Sequence, residues 1–288
     1  MKILIDEKAG FCKGVERVIK MAERRFTAKK PVYALGELIH NHEETRRLYE
    51  KGLRVVNDSV FAHPESLGNG RQLLIRAHGE PPATFENART AGIELIDGTC
   101  PVVARSQKLA REYHEKGYQV IIVGKEHHPE VIGIAGHCEG DCAVVLRDED
   151  LRKIDLSRRI FVLAQTTISG TIFRQIIQKM ETMGLDMTVK NTICRFISGR
   201  DRQIQEFARN CDIIIMVGGK HSSNTRVLFR VCRDNNARSF WVENAGELDR
   251  DWFSNGDVVG ITGSASTPRW LMEDIGQAIE KHFQPAKK

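Results

Sequence analysis

The feature that most limits the fold of this 288-residue chain is a local pattern that occurs three times. Each copy has a short apolar segment, a turn that carries a cysteine, and a stretch with apolar residues at helical spacing. The cysteines are Cys12, Cys100 and Cys194, so successive copies lie roughly 90 residues apart. The pattern predicts that each cysteine lies between a strand and the N-terminus of a helix.

Two further patterns occur once in each third of the chain. One is an apolar run, a glycine and, four residues later, a polar side chain; the other is an apolar run that ends in a polar loop. Such runs, with turn residues at their ends, are typical of buried parallel strands. The polar residues that follow the runs are His40, His128 and Ser222 in the first pattern and His78, Thr166 and Ser266 in the second.

These repeats predict an α/β fold of three pseudo-threefold-related units with small, mostly parallel sheets. We expect domains at 1–97 (with Cys12), 98–190 (with Cys100) and 191–288 (with Cys194 and a C-terminal helix). Ligands of parallel sheets bind beyond the carboxyl ends of the strands. Three such edges that faced one another would enclose a central cavity lined by the repeated residues.

The three repeated cysteines are candidate metal ligands. The chain has seven cysteines, and in a reducing compartment these are thiols, metal ligands or catalytic groups. A helix N-terminus stabilises a thiolate, so metal-binding cysteines are expected to recur at this position. Zinc and iron–sulfur both remain open, although the spacing is too wide for a zinc ribbon. Three cysteines on an iron–sulfur cluster would leave one iron for a non-protein ligand.

The other cysteines carry weaker signals. Cys138 and Cys142, beside His137, could form a metal clip, although a single C-x₃-C pair in a Gly/Asp turn is weak support. Cys211 and Cys232 fall on apolar faces, so we interpret both as structural.

Polar residues at the strand ends are candidate binding groups for an anion. Singly, each is as well explained as a turn or capping residue. Together they offer neutral donors, and a serine-rich helix start can bind an anion through its backbone N–H groups. Glu130 could be a general acid near such a ligand, or a solvated loop residue. The candidates are His40, Asn41, His78, His128, Thr166, Ser222, Ser223, Asn224 and Ser266.

Composition excludes several classes of function. The formal charge is +5, but no Lys/Arg block is present, so nucleic-acid binding is not expected. No apolar run is long enough for a membrane span, and Met1–Ile5 is too short for a signal peptide, so we expect a cytoplasmic protein. ATP and NAD(P)H are not favoured, because neither phosphate-binding glycine motif occurs.

A set of short motifs runs along the chain in a fixed order. The motifs are Gly10-Phe11-Cys12-x-Gly14-Val15-x-Arg17, Ile39-His40-Asn41, Ala77-His78-Gly79, Thr99-Cys100-Pro101, His128-Pro129-Glu130-Val131, Gln165-Thr166-Thr167, Thr192-Ile193-Cys194, Ser222-Ser223-Asn224 and Ala265-Ser266-x-Pro268. Any one motif would be weak, but the set is specific. In this order it resembles the LytB family of 4-hydroxy-3-methylbut-2-enyl diphosphate reductases, and the resemblance covers nearly the whole chain, to about Gln277.

The resemblance implies a trefoil around one 4Fe–4S cluster per chain. Its ligands would be Cys12, Cys100 and Cys194, with one iron that no cysteine ligates. The reaction would be reductive dehydroxylation of the allylic diphosphate to isopentenyl and dimethylallyl diphosphate, the last step of the methylerythritol phosphate pathway.

The resemblance also assigns roles to the polar residues and implies partners. Glu130 would supply protons to the cavity, Thr166 would assist it, and His128 would help to deliver a proton. The electron donor would be a reduced ferredoxin or flavodoxin, and we expect a monomer. The residues that would bind the diphosphate and relay protons are His40, His78, His128, Ser222, Ser223, Asn224 and Ser266.

One segment departs from the family pattern. Many relatives carry a short Ala-Thr stretch after the third cysteine, where this chain has Arg195 to Asp201. Cys194 and Arg200 keep their places, so the cluster assignment is unaffected. The segment between them differs, and we expect it to affect the cavity shape and the ratio of the two products. Two other classes of function stay open: a non-enzymatic iron–sulfur carrier or sensor, which would lack the acid and the phosphate-binding residues, and a zinc-bound nucleic-acid module.

Overall fold

The structure is a computed structural model that describes residues 1–26, 31–68 and 71–283. Short strands alternate with helices along the chain. In the described residues the strands are β1 (Lys2–Ile5), β2 (Val32–Leu35), β3 (Leu53–Val56), β4 (Gln72–Ile75), β5 (Glu94–Asp97), β6 (Gln119–Val123), β7 (Cys142–Val145), β8 (Ile160–Ala164), β9 (Met187–Lys190), β10 (Ile213–Val217), β11 (Ser239–Val242) and β12 (Val258–Gly263).

The α-helices follow most of these strands, as expected for parallel α/β units. They are α1 (Lys13–Glu23), α2 (His42–Glu50), α3 (Pro82–Thr90), α4 (Pro101–Glu115), α5 (Pro129–Gly136), α6 (Gly170–Thr182), α7 (Arg195–Ser198), α8 (Arg200–Arg209), α9 (Ser223–Asn235) and α10 (Arg269–Phe283). The last of these is the C-terminal helix that the sequence predicted.

The strands form three parallel four-stranded sheets with the same internal order. The orders are β1-β12-β10-β11, β5-β4-β2-β3 and β9-β8-β6-β7. In each sheet the strand that precedes a candidate cysteine lies at an edge. The next two strands inward are followed by the polar loops of the repeated patterns. Three small parallel sheets with interleaved helices confirm the predicted fold class.

One strand does not belong where the sequence placed it. Ile3–Ile5 belongs to the first predicted domain, but β1 pairs with β12, with Ile3 opposite Val259. Local spacing cannot reveal this pairing, because the hydrogen-bonded partners are separated by almost the whole chain. The boundaries at 97/98 and 190/191 remain a prediction.

Both faces of a central strand are covered by apolar side chains. In β6, Ile121 and Val123 pack with residues of α6, whereas Val120 and Ile122 pack with residues of α4 and α5. All four are fully buried. A strand that is covered on both faces needs a continuous apolar run rather than an alternating one, which is why these runs could be recognised in the sequence.

Clustering of contacts divides the chain into two compact units. Unit 1 contains the described residues of Met1–Glu16, Ile39–Lys51 and Arg195–Lys288, and it holds the sheet that β1 completes. Unit 2 consists of Arg17–Leu38 and Gly52–Cys194, in its described residues, and holds the other two sheets. Among the helices that the structure describes, none is both long and apolar enough to cross a membrane.

Gly98 lies in the turn between β5 and Cys100, and the packing there leaves no room for a side chain. A Cβ atom at this position would lie 2.0 Å from the carbonyl oxygen of Ile75 and 2.8 Å from Cγ2 of Val18. The carbonyl belongs to the neighbouring strand, so it cannot move without disturbing the sheet. The glycine therefore allows the close approach that positions Cys100.

We expect Gly98→Ala to lower the free energy of unfolding by roughly 1–3 kcal/mol, because the added methyl group overpacks a rigid site. Urea unfolding followed by circular dichroism measures the effect. Gly170→Ala is the matched control: its Cβ would meet only the flexible end of Arg174, at 3.4 Å, and alanine favours the helix. A Gly98→Ala protein as stable as the parent would contradict this account.

Candidate functional site

The three candidate cysteines occupy equivalent positions. Cys12, Cys100 and Cys194 each directly precede the first residue of a helix, namely α1, α4 and α7. All three side chains are partly exposed, and none of the seven cysteines, which all lie in described residues, forms a disulfide. These positions match the sequence prediction.

A backbone hydrogen bond also recurs at each cysteine. Its N–H group donates to a carbonyl oxygen in the loop that follows the neighbouring strand of the same sheet. Each cysteine is thus attached to one of the polar loops that the sequence singled out. The bonds join Cys12 to Ala265 at 3.2 Å, Cys100 to Ala77 at 3.0 Å and Cys194 to Thr166 at 2.9 Å.

Unit 2 contains a buried carboxyl group, on Glu130 in the first turn of α5. Its side chain is 1% exposed. The backbone N–H of Thr166 donates to Oε1 at 2.6 Å, and the Thr166 hydroxyl donates to Oε2 at 2.9 Å. One threonine therefore holds both oxygens of the carboxyl group, which excludes the solvated loop glutamate considered from sequence.

Burial raises the pKa of Glu130 to about 7, and the two hydrogen bonds from Thr166 offset part of that rise. A carboxyl group with this pKa is present in both protonation states near neutral pH. It can therefore donate a proton and be reprotonated under the same conditions. Because the carbonyl of Thr166 also accepts a bond from Cys194, one residue connects the acid to a candidate metal ligand.

Two histidines lie beside this acid in unit 2. His128 is the N-cap of α5, and its Nδ1 accepts a hydrogen bond from the backbone N–H of Glu130 at 3.2 Å. The rings of His78 and His128 meet edge to face, with 5.3 Å between their centroids. The structure thus brings together four of the predicted polar residues of unit 2: His78, His128, Glu130 and Thr166.

In unit 1, a cluster of hydroxyl groups lies at the start of α9. Ser222 is the N-cap of the helix, and its Oγ lies 3.4 Å from Oγ of Ser266. Ser264 lies 3.1 Å from Ser266 and accepts from the Thr225 hydroxyl at 2.8 Å. Ser222 and Ser266 are among the residues predicted from the sequence, whereas Ser264 and Thr225 are not, although Ser264 lies in the same loop after β12 as Ser266.

Asn224 has a buried side chain whose polar atoms are unused. It is 6% exposed, and neither its Nδ2 nor its Oδ1 has a hydrogen-bond partner among the described residues. An unsatisfied buried amide is costly, so its presence at a helix N-terminus indicates a place for a polar ligand. Ser223, the first residue of α9, adds a backbone N–H and a hydroxyl group there.

His40 and Asn41 lie close to the loop that precedes this helix. Asn41 caps α2 through a bond from the Glu44 N–H at 3.0 Å, and its Nδ2 is buried without a described partner. A Cβ atom on Gly219 would lie 2.4 Å from the carbonyl oxygen of His40, so glycine is needed for this approach. Unit 1 therefore assembles His40 and Asn41 beside the serine-rich start of α9.

Further residues hold these loops in place, and their roles could not be read from the sequence. Gln165 accepts from the Lys125 N–H at 3.0 Å and donates to the Thr167 hydroxyl at 2.9 Å. It therefore joins the loop before α5 to the loop that carries Thr166. In the Cys100 loop, Arg17 donates to the Thr99 carbonyl at 3.0 Å. Both residues occur in the quoted motifs, but only contacts reveal what they do.

Arg200 forms a buried ion pair in unit 1. Its side chain is 3% exposed and lies 2.7 Å from the carboxylate of Asp6, which also accepts from the Thr262 hydroxyl at 2.7 Å. This network anchors the loop that leads to Cys12. It explains why an arginine stands at this position although the preceding segment differs from the family pattern.

The remaining cysteines divide into two kinds. Cys211 and Cys232 are buried against apolar side chains, and burial raises their pKa values to about 11 and about 12, which fits the structural interpretation. Cys138 and Cys142 contact each other, but among the described residues no third metal-ligating side chain joins them. This finding gives the metal-clip hypothesis no support.

The fold and the site define the class of this protein: an α/β protein of three small parallel sheets, with cysteines at three helix starts and a buried, protonatable carboxyl group. The model of the LytB protein family matches residues 3–280, and the chain belongs to this family.

Named relatives agree with this assignment. The chain is 40% identical to a protein of Chlorobium luteolum and 35% identical to one of Alkaliphilus oremlandii, both named 4-hydroxy-3-methylbut-2-enyl diphosphate reductase. The first match covers 97% of this chain and 99% of the relative, and the second covers 96% and 98%.

Two solved structures show the same fold. One is a structure of (E)-4-hydroxy-3-methyl-but-2-enyl diphosphate reductase, described as the terminal enzyme of the non-mevalonate pathway, with 35% identity and a TM-score of 0.72. This match covers 97% of the present chain and 99% of the chain in the solved structure. The reductase from Plasmodium falciparum is 25% identical, with a TM-score of 0.87, and covers 98% and 89%.

Proposed function

We propose that this protein is a 4-hydroxy-3-methylbut-2-enyl diphosphate reductase that removes the allylic hydroxyl group of its substrate with two electrons and two protons. Water leaves, and the products are isopentenyl and dimethylallyl diphosphate. Family membership supports the reaction. The observation that carries the proposal for this chain is the buried Glu130, which is held by the same threonine that binds Cys194.

The donor set fits an iron–sulfur cluster. Cys12, Cys100 and Cys194 are partly exposed thiols at helix starts, whereas Cys211 and Cys232 are buried in apolar surroundings. We infer that the first three hold one 4Fe–4S cluster and leave one iron without a cysteine ligand. When bound, the cluster would supply electrons and a Lewis-acidic iron.

The neutral donors at the strand ends would bind the diphosphate. In unit 1, Asn224 offers an unsatisfied buried amide at the N-terminus of α9, where the helix dipole favours an anion. The hydroxyl groups of Ser222, Ser223 and Ser266 are further donors, as is the ring of His40. The rings of His78 and His128 are further candidate donors. Binding energy from the diphosphate would orient the reacting end of the substrate.

Glu130 would supply protons to the substrate. Its pKa of about 7 keeps a protonated fraction available at neutral pH, and its burial keeps the proton away from bulk water. Protonation of the leaving oxygen allows it to depart as water. His128, whose Nδ1 accepts from the Glu130 N–H, would help to deliver a proton through its other ring nitrogen.

We expect Thr166→Val to raise the pKa of Glu130 further, because the variant removes one of the two hydrogen bonds that lower it. The limb of the pH–rate profile that depends on Glu130 should move to higher pH. Thr167→Val is the matched control, since that hydroxyl group bonds to Gln165 instead. An identical profile in Thr166→Val and the parent would contradict the assigned contact.

The electron donor would be a reduced ferredoxin or flavodoxin, because the chain carries neither of the common nucleotide-binding glycine motifs. Monomeric state and cytoplasmic location remain predictions; gel filtration and cell fractionation test them.

Anaerobic assay tests the proposal directly. Protein reconstituted with iron and sulfide, reduced chemically and given the hydroxylated diphosphate should yield both products by mass spectrometry. If fully loaded protein left the substrate unchanged, an electron carrier or sensor would be favoured. If the purified protein held zinc without iron or sulfide, the nucleic-acid module would be favoured instead, and salt-dependent RNA binding would be the next measurement.

A further inference from the structure

Cys138 and Cys142 lie on either side of the turn between α5 and β7, and the proposed reaction uses neither of them. The turn is tight. The N–H of Asp141 donates to the carbonyl of Cys138 at 2.7 Å, and the two residues between them, Glu139 and Gly140, have φ values of 51° and 83°. Two successive positive φ values are typical of a type I′ turn, which reverses the chain within two residues.

The two thiols belong to the same packed region. Cys138 is fully buried in the apolar cluster that contains Val131 and Ile134 of α5, and Cys142 packs against that cluster with a partly exposed side chain. One thiol is thus protected from external reagents, whereas its neighbour can be reached by a small one. A pair of thiols that served only to fill the core would not need this difference in exposure.

The thiols also differ in acidity. A hydrogen bond from Cys138 lowers the pKa of Cys142, and the same bond together with burial raises the pKa of Cys138. Asp141 would disfavour a thiolate beside it, but its carboxylate is held by the guanidinium of Arg158 at 2.7 and 2.9 Å. Cys142 is therefore the better nucleophile of the two.

We propose that Cys138 and Cys142 form a redox-active dithiol that small hydroperoxides oxidise to an intramolecular disulfide. The Cys142 thiolate attacks hydrogen peroxide, its sulfur forms a bond to one oxygen, the O–O bond breaks and hydroxide leaves. The thiol of Cys138 then attacks the sulfenic acid, the S–S bond forms and water leaves. A small dithiol reduces this disulfide by thiol–disulfide exchange and is itself oxidised to a disulfide.

The site also has a structural consequence for the proposed acid. Cys138 directly follows the C-cap residue of α5, and Glu130 lies in the first turn of the same helix. Eight residues of helix span about 12 Å, so the pair and the acid are at opposite ends of one short rigid element. Oxidation would fix the far end of this helix to the first residue of β7.

The tryptic fragment 126–147 tests the proposal, because it contains both cysteines and no internal Lys or Arg. Full-length protein would be treated with hydrogen peroxide, denatured in N-ethylmaleimide and digested. We expect the fragment to carry no maleimide and to be lighter than the dithiol form by two hydrogen atoms. Dithiothreitol before the maleimide should restore two labels. Cys232 is the internal control and should be labelled in every sample.

Two variants separate the roles of the thiols. Cys138→Ser should trap a sulfenic acid on Cys142 that dimedone labels, whereas Cys142→Ser should leave Cys138 as a thiol. Recovery of the doubly labelled fragment after peroxide, or a disulfide from either residue to a different cysteine, would overturn the proposal. So would dimedone labelling of Cys142→Ser but not of Cys138→Ser. None of these readouts depends on the reductase reaction, so failure of one proposal leaves the other standing.

Discussion

Glu130→Gln should lower kcat by at least about 100-fold while the iron and sulfide content stays unchanged, because general acid catalysis of this kind contributes about two to four orders of magnitude. Glutamine has nearly the same shape and can still accept the Thr166 N–H with its Oε1 atom. It cannot supply a proton at neutral pH. Anaerobic turnover, together with iron and sulfide analysis of the same sample, measures both quantities.

Glu126→Gln is the matched control, since that carboxyl group lies in the loop just before α5 but is exposed and paired with Lys153 at 3.3 Å. We expect this variant to retain turnover. Normal activity in Glu130→Gln would refute the acid role, and loss of the cluster would show that Glu130 is structural instead.

The pH dependence of stability separates these roles further. Burial raises the pKa of Glu130 from 4.5 to about 7, so the folded state favours the protonated form. The resulting stabilisation is fully present below pH 4.5 and is lost as the pH rises through about 7, a difference of about 3 kcal/mol. Glu130→Gln cannot ionise. Urea unfolding at pH 5 and pH 8 should therefore show a smaller pH effect in the variant than in the parent.

Cys100→Ser should abolish cluster binding and turnover together, and we expect the same of Cys12→Ser and Cys194→Ser. A serine hydroxyl is not ionised at neutral pH and is a poor ligand for iron, whereas cysteine is the usual protein ligand of iron–sulfur clusters. The visible absorbance of the anaerobic protein and its iron content measure cluster binding.

Cys142→Ser is the control for these ligand variants, because its side chain is also partly exposed and it lies outside the three helix starts. Its colour and iron content should equal those of the parent. A colourless Cys142→Ser protein beside a fully loaded Cys100→Ser protein would mean that the wrong thiols were chosen.

Local repetition explains how much of the fold could be predicted. Parallel strands that are buried on both faces need continuous apolar runs, so β6 and β10 stand out in the sequence, and each candidate cysteine is marked by the helix that follows it. Pairing between distant strands leaves no such local mark. The sequence could not show that β1 completes a sheet with β12.

Site residues could be predicted from the sequence where the residue type itself suggests a chemical role. They could not be predicted where the role depends on the contacts that the folded chain provides. Cysteines at helix starts and a glutamate after a strand suggest chemistry by themselves. The burial that raises the pKa of Glu130 depends on packing, and so does the bridging role of Gln165, whose side chain joins two loops 40 residues apart in sequence. An asparagine such as Asn224 is recognisable as a ligand-binding group only when its amide is found buried and unsatisfied.

The pairing of β1 with β12 has a consequence for synthesis on the ribosome. Lys2–Ile5 leaves the exit tunnel long before its hydrogen-bonding partner, Val258–Ile261. The edge of this strand must therefore stay unpaired while the residues between the two strands are translated, and closure over so long a separation is slow. Because the N–H of Cys12 bonds to Ala265, this cysteine is positioned only after β12 has been synthesised.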